Sequence, residues 1–240
     1  MLVCAGRSES LCCAVPIGVG LVEASLGLTR LLLGGARETE SIIFVGSAGA
    51  YSKEILIGDM FFSVEATQIE SSFLSGGSYT PIDNVVKMES MDLNGSFARF
   101  FMGDEDFSNR KSWQKNVSYE TSGQTPKSIQ NHKIENQDGQ KSIQNGIVAK
   151  QLKQAIVNSS NYITTDEDSA NQMARAGIAL ENMEFYAVMK VAQNFGVSAM
   201  GVFCITNYCD KNAHNDFLAN HSEAKRRLEH FIMQNQRAMI

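Results

Sequence analysis

Proline is scarce, with 3 in 240 residues, tryptophan occurs once, and positive charge is outnumbered, 21 Lys plus Arg against 26 Asp plus Glu. The resulting net charge of −5 provides no basic field for nucleic-acid backbones or anionic lipid, and a small-molecule partner is the better expectation. Long hydrophobic runs are missing too. Stretches such as Ile42–Val45 and Ala199–Ile205 fall far short of the roughly 20 residues that a membrane span requires. The opening MLVCAGRSES lacks the basic start and long apolar core of a signal peptide. Five cysteines (Cys4, Cys12, Cys13, Cys204 and Cys209) lack the paired spacing of a zinc site or a secreted disulfide framework. They read as reduced, core-packing thiols of a cytoplasmic protein, with no metal expected.

What is present is uneven. From Asp104 to Gly146 the only aliphatic residues are Val117, Ile129, Ile134 and Ile143, four in 43. Such a segment buries too little apolar surface to offset its ordering entropy. It contains KSIQN twice, at Lys127–Asn131 and Lys141–Asn145, and its six acids and six bases cancel. It reads as a polar low-complexity insertion at about 104–146, dispensable for activity, in a single domain spanning 1–240. The net charge then belongs to the other 197 residues.

Outside the insertion, short apolar runs alternate with helical periods. Leu2–Ala5, Ile42–Val45, Met60–Glu65, Ala155–Asn158, Gly177–Leu180 and Ser198–Ile205 predict buried strands. Val22–Leu33, closed by Gly34-Gly35, Met183–Phe195, closed by Gly196, and about Asn215–Gln236 predict helices. The alternation implies an α/β domain with a largely parallel sheet. In such sheets ligands sit at the carboxyl ends of strands, which directs attention to Gly46–Tyr51, Ser159–Thr165, Asn182–Glu184 and Thr206–Asp210.

Segments in both halves of the chain carry a resemblance. IGVGLVEASLGLTRLLL (Ile17–Leu33) followed by IIFVGSAGAYSKEILIGDMFFSVEAT (Ile42–Thr67), and later ENMEFYAVMKVAQNFGVSAMGVFCITNYCD (Glu181–Asp210), resemble the purine nucleoside phosphorylase and methylthioadenosine/S-adenosylhomocysteine nucleosidase family. The likeness covers about Leu2–Thr67 and Ile156–Ile232. It implies a three-layer phosphorylase-like fold, with a central mixed, largely parallel sheet flanked by helices. It also implies a homo-oligomer and no organic cofactor. Among family members, purine nucleoside phosphorylase is the closest reading: phosphorolysis of a 6-oxopurine ribonucleoside to free base and ribose 1-phosphate, with inorganic phosphate as co-substrate. The alternatives are a hydrolytic nucleosidase of methylthioadenosine/S-adenosylhomocysteine or futalosine type, and a non-catalytic purine-binding homologue.

Carried over residue by residue, the resemblance assigns Glu184 to the ribose hydroxyls, with Met183 packed against the sugar. A carboxylate there can accept from two hydroxyls and support developing positive charge on the ring. The matching helix-start position would otherwise be an acid complementing the helix dipole. Tyr162 and Ile163 match a pair that stacks on the purine. Ser47, with Gly49 and the rest of Gly46–Gly49, is placed beside phosphate or the attacking water, whereas Gly58-Asp59 reads as a structural turn. Asn207 stands where nucleosidases carry Asp. An amide is no acid, but it can hydrogen-bond N7 and O6 of a 6-oxopurine. Asp210 is equally a turn residue and a catalytic candidate. For the acceptor, Arg7 after Gly6 is the cation available to phosphate, because Phe44 and Val45 occupy the position of the family's other arginine. Nucleosidases activate water with a Glu whose position here matches Leu11, with Glu9 the nearest carboxylate. The several tens of residues that normally separate the first strand from the Gly-rich loop are absent, leaving Ser8–Val15. Arg30, Arg37, His214 and His221 are further cations, read first as solvated surface residues.

Overall fold

A computed structural model describes residues 1–35, 39, 41–88 and 152–239. The 104–146 segment, with its KSIQN repeat, and Arg37 lie outside the described residues, as does any test of the single-domain reading across them.

The described strands are β1 (Leu2–Cys4), β2 (Val15–Pro16), β3 (Ser41–Ala50), β4 (Met60–Ser63), β5 (Glu65–Thr67), β6 (Val85–Lys87), β7 (Lys153–Gln154), β8 (Val157–Ser159), β9 (Leu180–Asn182) and β10 (Ser198–Tyr208). The α-helices are α1 (Leu21–Leu33), α2 (Ser71–Leu74), α3 (Glu167–Arg175), α4 (Phe185–Phe195) and α5 (Ala213–Met239), with a 3₁₀ turn at Arg7–Glu9. One sheet runs β6-β5-β8-β9-β3-β10-β4-β7, and β1 joins β3 and β2 off this path. The ladders β1–β2, β1–β3, β3–β10, β4–β7, β5–β8 and β8–β9 are parallel; β4–β10, β3–β9 and β5–β6 are antiparallel. The sheet is mixed and largely parallel, as expected.

Helices cover both faces, and β3 shows how. Successive strand side chains point to opposite faces. Phe44 meets Phe185 of α4 and Phe203, whereas Ser47 shares a small cavity with Ala224 and Leu228 of α5. Phe44, Phe185 and Phe203 are fully buried and form the centre of the core. Helix α4 ends where expected, because Gly196 takes the left-handed conformation, φ 66°, that closes a helix without a Cβ penalty.

Three boundaries depart from the sequence expectation. The small residues of Gly46–Gly49 are not a loop but the continuation of β3, paired with β10 from Ser41↔Ser198 to Ala50↔Tyr208. Sheet pairing makes strand of residues that lack strand propensity. Likewise Thr206–Tyr208 extends β10 across a bulge between Ile205 and Asn207. The predicted Gly177–Leu180 strand forms instead at Leu180–Asn182, because Gly177, at φ 79°, belongs to the turn that follows α3. Helix α3 was not anticipated, although Asp166 accepts the Ser169 N–H at 2.8 Å in an ordinary N-cap.

Candidate active site

Strand β3 is paired with β10 along its length, but among the described residues the strands on its other edge are β1 at Ile43–Phe44 and β9 at Gly49–Ala50. Between them no described strand pairs with Val45–Ala48. The Glu9 carboxylate lies in this gap and accepts from the Ser47 hydroxyl. The Ser47 carbonyl accepts from the Asn182 amide at 3.2 Å.

Local backbone explains why Glu9 points inward. Gly6 and Arg7 both take positive φ, 95° and 55°, and this turn directs the 3₁₀ segment back over the strand ends. A non-glycine residue in that region costs about 1 kcal/mol, which the buried contacts of Glu9 offset. Arg7 is exposed in the same turn: its carbonyl accepts the Ser10 N–H at 3.3 Å, and among the described residues its guanidinium makes no hydrogen bond or ion pair. The side chain of this turn that reaches Ser47 is that of Glu9. From α5, His221 binds the Ser8 carbonyl at 2.8 Å and so braces the same turn. Leu11, the position matching the family's glutamate, is buried and lines the water-sized cavity of about 10 Å3 with Glu9, Ser47 and His221.

Glu184 is buried at the start of α4, and one carboxylate oxygen accepts the Gly20 N–H at 3.0 Å. Gly20 has φ 85°, and a Cβ there would stand 2.9 Å from the Asn161 side chain, so the close approach requires glycine. Asn182 Oδ1 accepts the N–H groups of Glu184 and Phe185 at 2.7 and 2.9 Å. Asn182 thus holds Ser47 and the first turn of α4 together; the sequence marks Asn182–Glu184 as a strand end of interest but not this bridging role of Asn182. Met183 is half-buried at the same junction.

Burial pushes the Glu184 carboxyl up to about 7; the Gly20 N–H opposes this, and the negative charge of Glu9 adds to it. Glu9 is raised for the same first reason, loss of water around the carboxylate, with Ser47 and His221 opposing. Two carboxyl groups that influence one another from the ends of different strands form the electrostatic centre of the site.

At the end of β10, Asn207 is buried; its Oδ1 accepts from the Thr206 hydroxyl at 2.9 Å and its Nδ2 donates to the Tyr208 carbonyl at 3.1 Å. Gly49 is its strand partner, and a Cβ there would lie 2.8 Å from Nδ2, so Gly49 makes room for the amide. Tyr162 and Ile163 are exposed by 77% and 50%, in the loop after β8. Asn161 of this loop accepts the Leu21 N–H at 2.9 Å, which brings the loop to the Gly20–Glu184 contact. Asp210 accepts the Asn212 N–H at 2.8 Å and pairs with Lys53 at 3.4 Å, the arrangement of a turn residue. Arg30 and His214 are exposed. Gly58, at φ 88°, sits in a turn and donates to the Ile205 carbonyl at 2.8 Å.

Among the described residues no cluster of three potential ligands could hold a metal ion, and no helix is long and apolar enough to cross a membrane. A search of the curated proteins found no match. Solved structures match over nearly the whole chain. Futalosine hydrolase of Helicobacter pylori is similar at 15% identity, covering 97% of this chain and 95% of that one, with a TM-score of 0.63. The 5'-methylthioadenosine/S-adenosylhomocysteine nucleosidase of Streptococcus pneumoniae is similar at 12% identity, covering 100% and 98%, with a TM-score of 0.64. The S-adenosylhomocysteine nucleosidase of Streptococcus pyogenes follows at 14%, covering 97% and 93%, with a TM-score of 0.61. At such identities these likenesses speak for the fold. The family model described as the phosphorylase superfamily matches residues 3–234, and the chain belongs to that family.

Proposed function

We propose that this protein is a purine nucleosidase, which cleaves the N-glycosidic bond of a 6-oxopurine nucleoside with water. The observation that carries this reading is the Glu9 carboxylate seated on Ser47, in the gap of β3 and within electrostatic reach of Glu184. A half-buried carboxylate at the acceptor end repels phosphate, whereas it can take a proton from a neutral water. The Ser47 hydroxyl holds Glu9 in place. Glu184 accepts from the ribose hydroxyls and stabilises the positive charge that grows on the sugar as the base leaves. Water adds to the anomeric carbon, Glu9 receives its proton, and the departing purine is protonated through solvent.

Asn207 sets the base. With one Nδ2 hydrogen engaged by the Tyr208 carbonyl, the amide has one N–H and a spare carbonyl lone pair to offer. That set suits O6 and a protonated N7 of a 6-oxopurine. The neighbours named as futalosine hydrolase and nucleosidases support hydrolysis over phosphorolysis. Asn207 is also what favours the second reading, since 6-oxopurine phosphorylases use an asparagine in this way. Incubating the protein with inosine and with 5'-methylthioadenosine, with and without phosphate, separates the two. Hypoxanthine and free ribose released at the same rate without phosphate is expected; release that requires phosphate and yields ribose 1-phosphate sinks the hydrolytic reading.

A further inference from the structure

One buried carboxylate has no part in this chemistry. Glu181 lies in β9 and is 6% exposed, and four donors converge on it. They are the Tyr51 hydroxyl at 2.9 Å, the Thr164 N–H at 2.9 Å, the Thr164 hydroxyl, and the Cys209 thiol at 3.7 Å. Among the described residues no cation pairs with it. A carboxylate removed from water without a cation is costly unless hydrogen bonds satisfy it, so what those bonds hold is informative.

They hold three segments that each end at the candidate site. Tyr51 follows β3, Cys209 stands two residues after Asn207, and Thr164 closes the loop that carries Tyr162 and Ile163. Tyr51 is in turn rooted in the sheet: the Asn158 amide donates to its hydroxyl at 3.4 Å, and Asn158 is fixed by Thr67 and by both backbone groups of Ile69. The other end of the loop is pegged as well, by Asn161 accepting from Leu21 and by the Tyr162 N–H donating to the Ser160 hydroxyl at 3.2 Å. Between the two pegs stands an exposed aromatic and aliphatic pair, Tyr162 and Ile163. Holding such a pair in one place before a ligand arrives removes part of the ordering cost of binding.

We infer that Glu181 is a positioning residue for the base-binding loop: it fixes Thr164, and thereby sets Tyr162 and Ile163 as a preformed platform for a planar purine beside Asn207. The inference rests on the nucleosidase reading for the identity of the ligand, but not for water as the acceptor. It predicts an effect on binding rather than on bond cleavage.

The test uses the full chain with Glu181→Gln, which keeps the size and removes one acceptor, and Thr164→Val, which removes one donor. Three quantities are measured: KM and kcat with inosine, the Kd of hypoxanthine by calorimetry, and hydrogen exchange of the 160–165 amides. Loss of a hydrogen bond to a charged group corresponds to about a tenfold change or more in an equilibrium. Glu181→Gln is therefore expected to raise KM and the hypoxanthine Kd about tenfold, to leave kcat within about threefold, and to speed exchange at Thr164. Thr164→Val moves the same quantities less, and the double variant is no worse than Glu181→Gln alone, because both remove one interaction. An unchanged hypoxanthine Kd in either folded variant, or a fall in kcat with KM unaltered, overturns the inference. If Glu181→Gln does not fold, Thr164→Val decides by the same criterion. Should the unaltered protein release no base from any nucleoside, the nucleosidase reading fails, while the base affinity and exchange data still decide the role of Glu181.

Discussion

The two ends of the candidate site are built in opposite ways. The sugar and acceptor end consists of carboxylates drawn at least partly out of water: Glu184 is 2% exposed, and Glu9 is half-buried against Ser47. The base end consists of a neutral amide, Asn207, and an aromatic-aliphatic pair that stands in solvent. A transition state that carries positive charge on the ribose needs preformed negative charge there. A leaving purine needs only planar contact and a few hydrogen bonds, which the ligand itself can complete. The first end is therefore expected to govern rate and pH dependence, and the second to govern affinity and choice of base.

Glu9→Gln breaks the first end most directly. Removing a general base costs about 10²–10⁴ in rate, so kcat for inosine should fall by that range with KM little changed; kcat within tenfold of the unaltered protein would return the base role to solvent. The same variant should lower the apparent Glu184 pKa, since one source of negative charge is gone.

The pH profiles form the next test. Activity requires ionised carboxylates, so kcat/KM should rise with pH through an apparent pKa above the usual carboxylate range, with about 7 expected for Glu184. Stability should run the other way. A carboxyl whose folded-state pKa is raised binds a proton in the folded chain when the unfolded chain has lost it, so stability falls as pH rises from about 4.5 through about 7. Thermal melts between pH 5 and 8 read this, and a Tm that increases over the interval would contradict the burial of the pair.

Asn207→Asp addresses the other end. An acid there can protonate N7 of a 6-aminopurine, so the ratio of kcat/KM for methylthioadenosine over inosine should increase by about 10–100-fold. If the ratio stays put, Asn207 does not face the base. The smallest effect is expected at Arg7→Ala. Its guanidinium points to solvent, and surface substitutions of this kind stay within about 0.5 kcal/mol. Activity and phosphate dependence should not change measurably, and a loss of activity restored by high phosphate would revive the phosphorolytic reading.

Legibility in the sequence differed between these ends as well. Glu184 and Ser47 could be located from their motifs, because each sits at a fixed place relative to a helix start or a Gly-rich strand. Glu9 could not. Its motif position matches Leu11, and only the consecutive positive-φ residues Gly6 and Arg7 reverse which side chain enters and which leaves. The roles of Asn182, in a strand end that the sequence marks, and of Glu181 were equally hidden, since a polar residue in a three-residue strand has no periodicity to announce its partners. Their partners lie 135 residues away at Ser47 and 130 at Tyr51.

By itself the sequence determined the alternation of strands and helices, the end of α4 at Gly196, the acidic balance, and the chemical types present at each strand end. These depend on local backbone preference and on which residues avoid water. The tertiary structure alone decided that Gly46–Gly49 is strand, that its open edge receives Glu9, and that Arg7 is left outside. Those outcomes arise because ladder pairing overrides local propensity, and because a carboxylate is drawn out of water only where a donor from a distant segment, here the Ser47 hydroxyl, meets it.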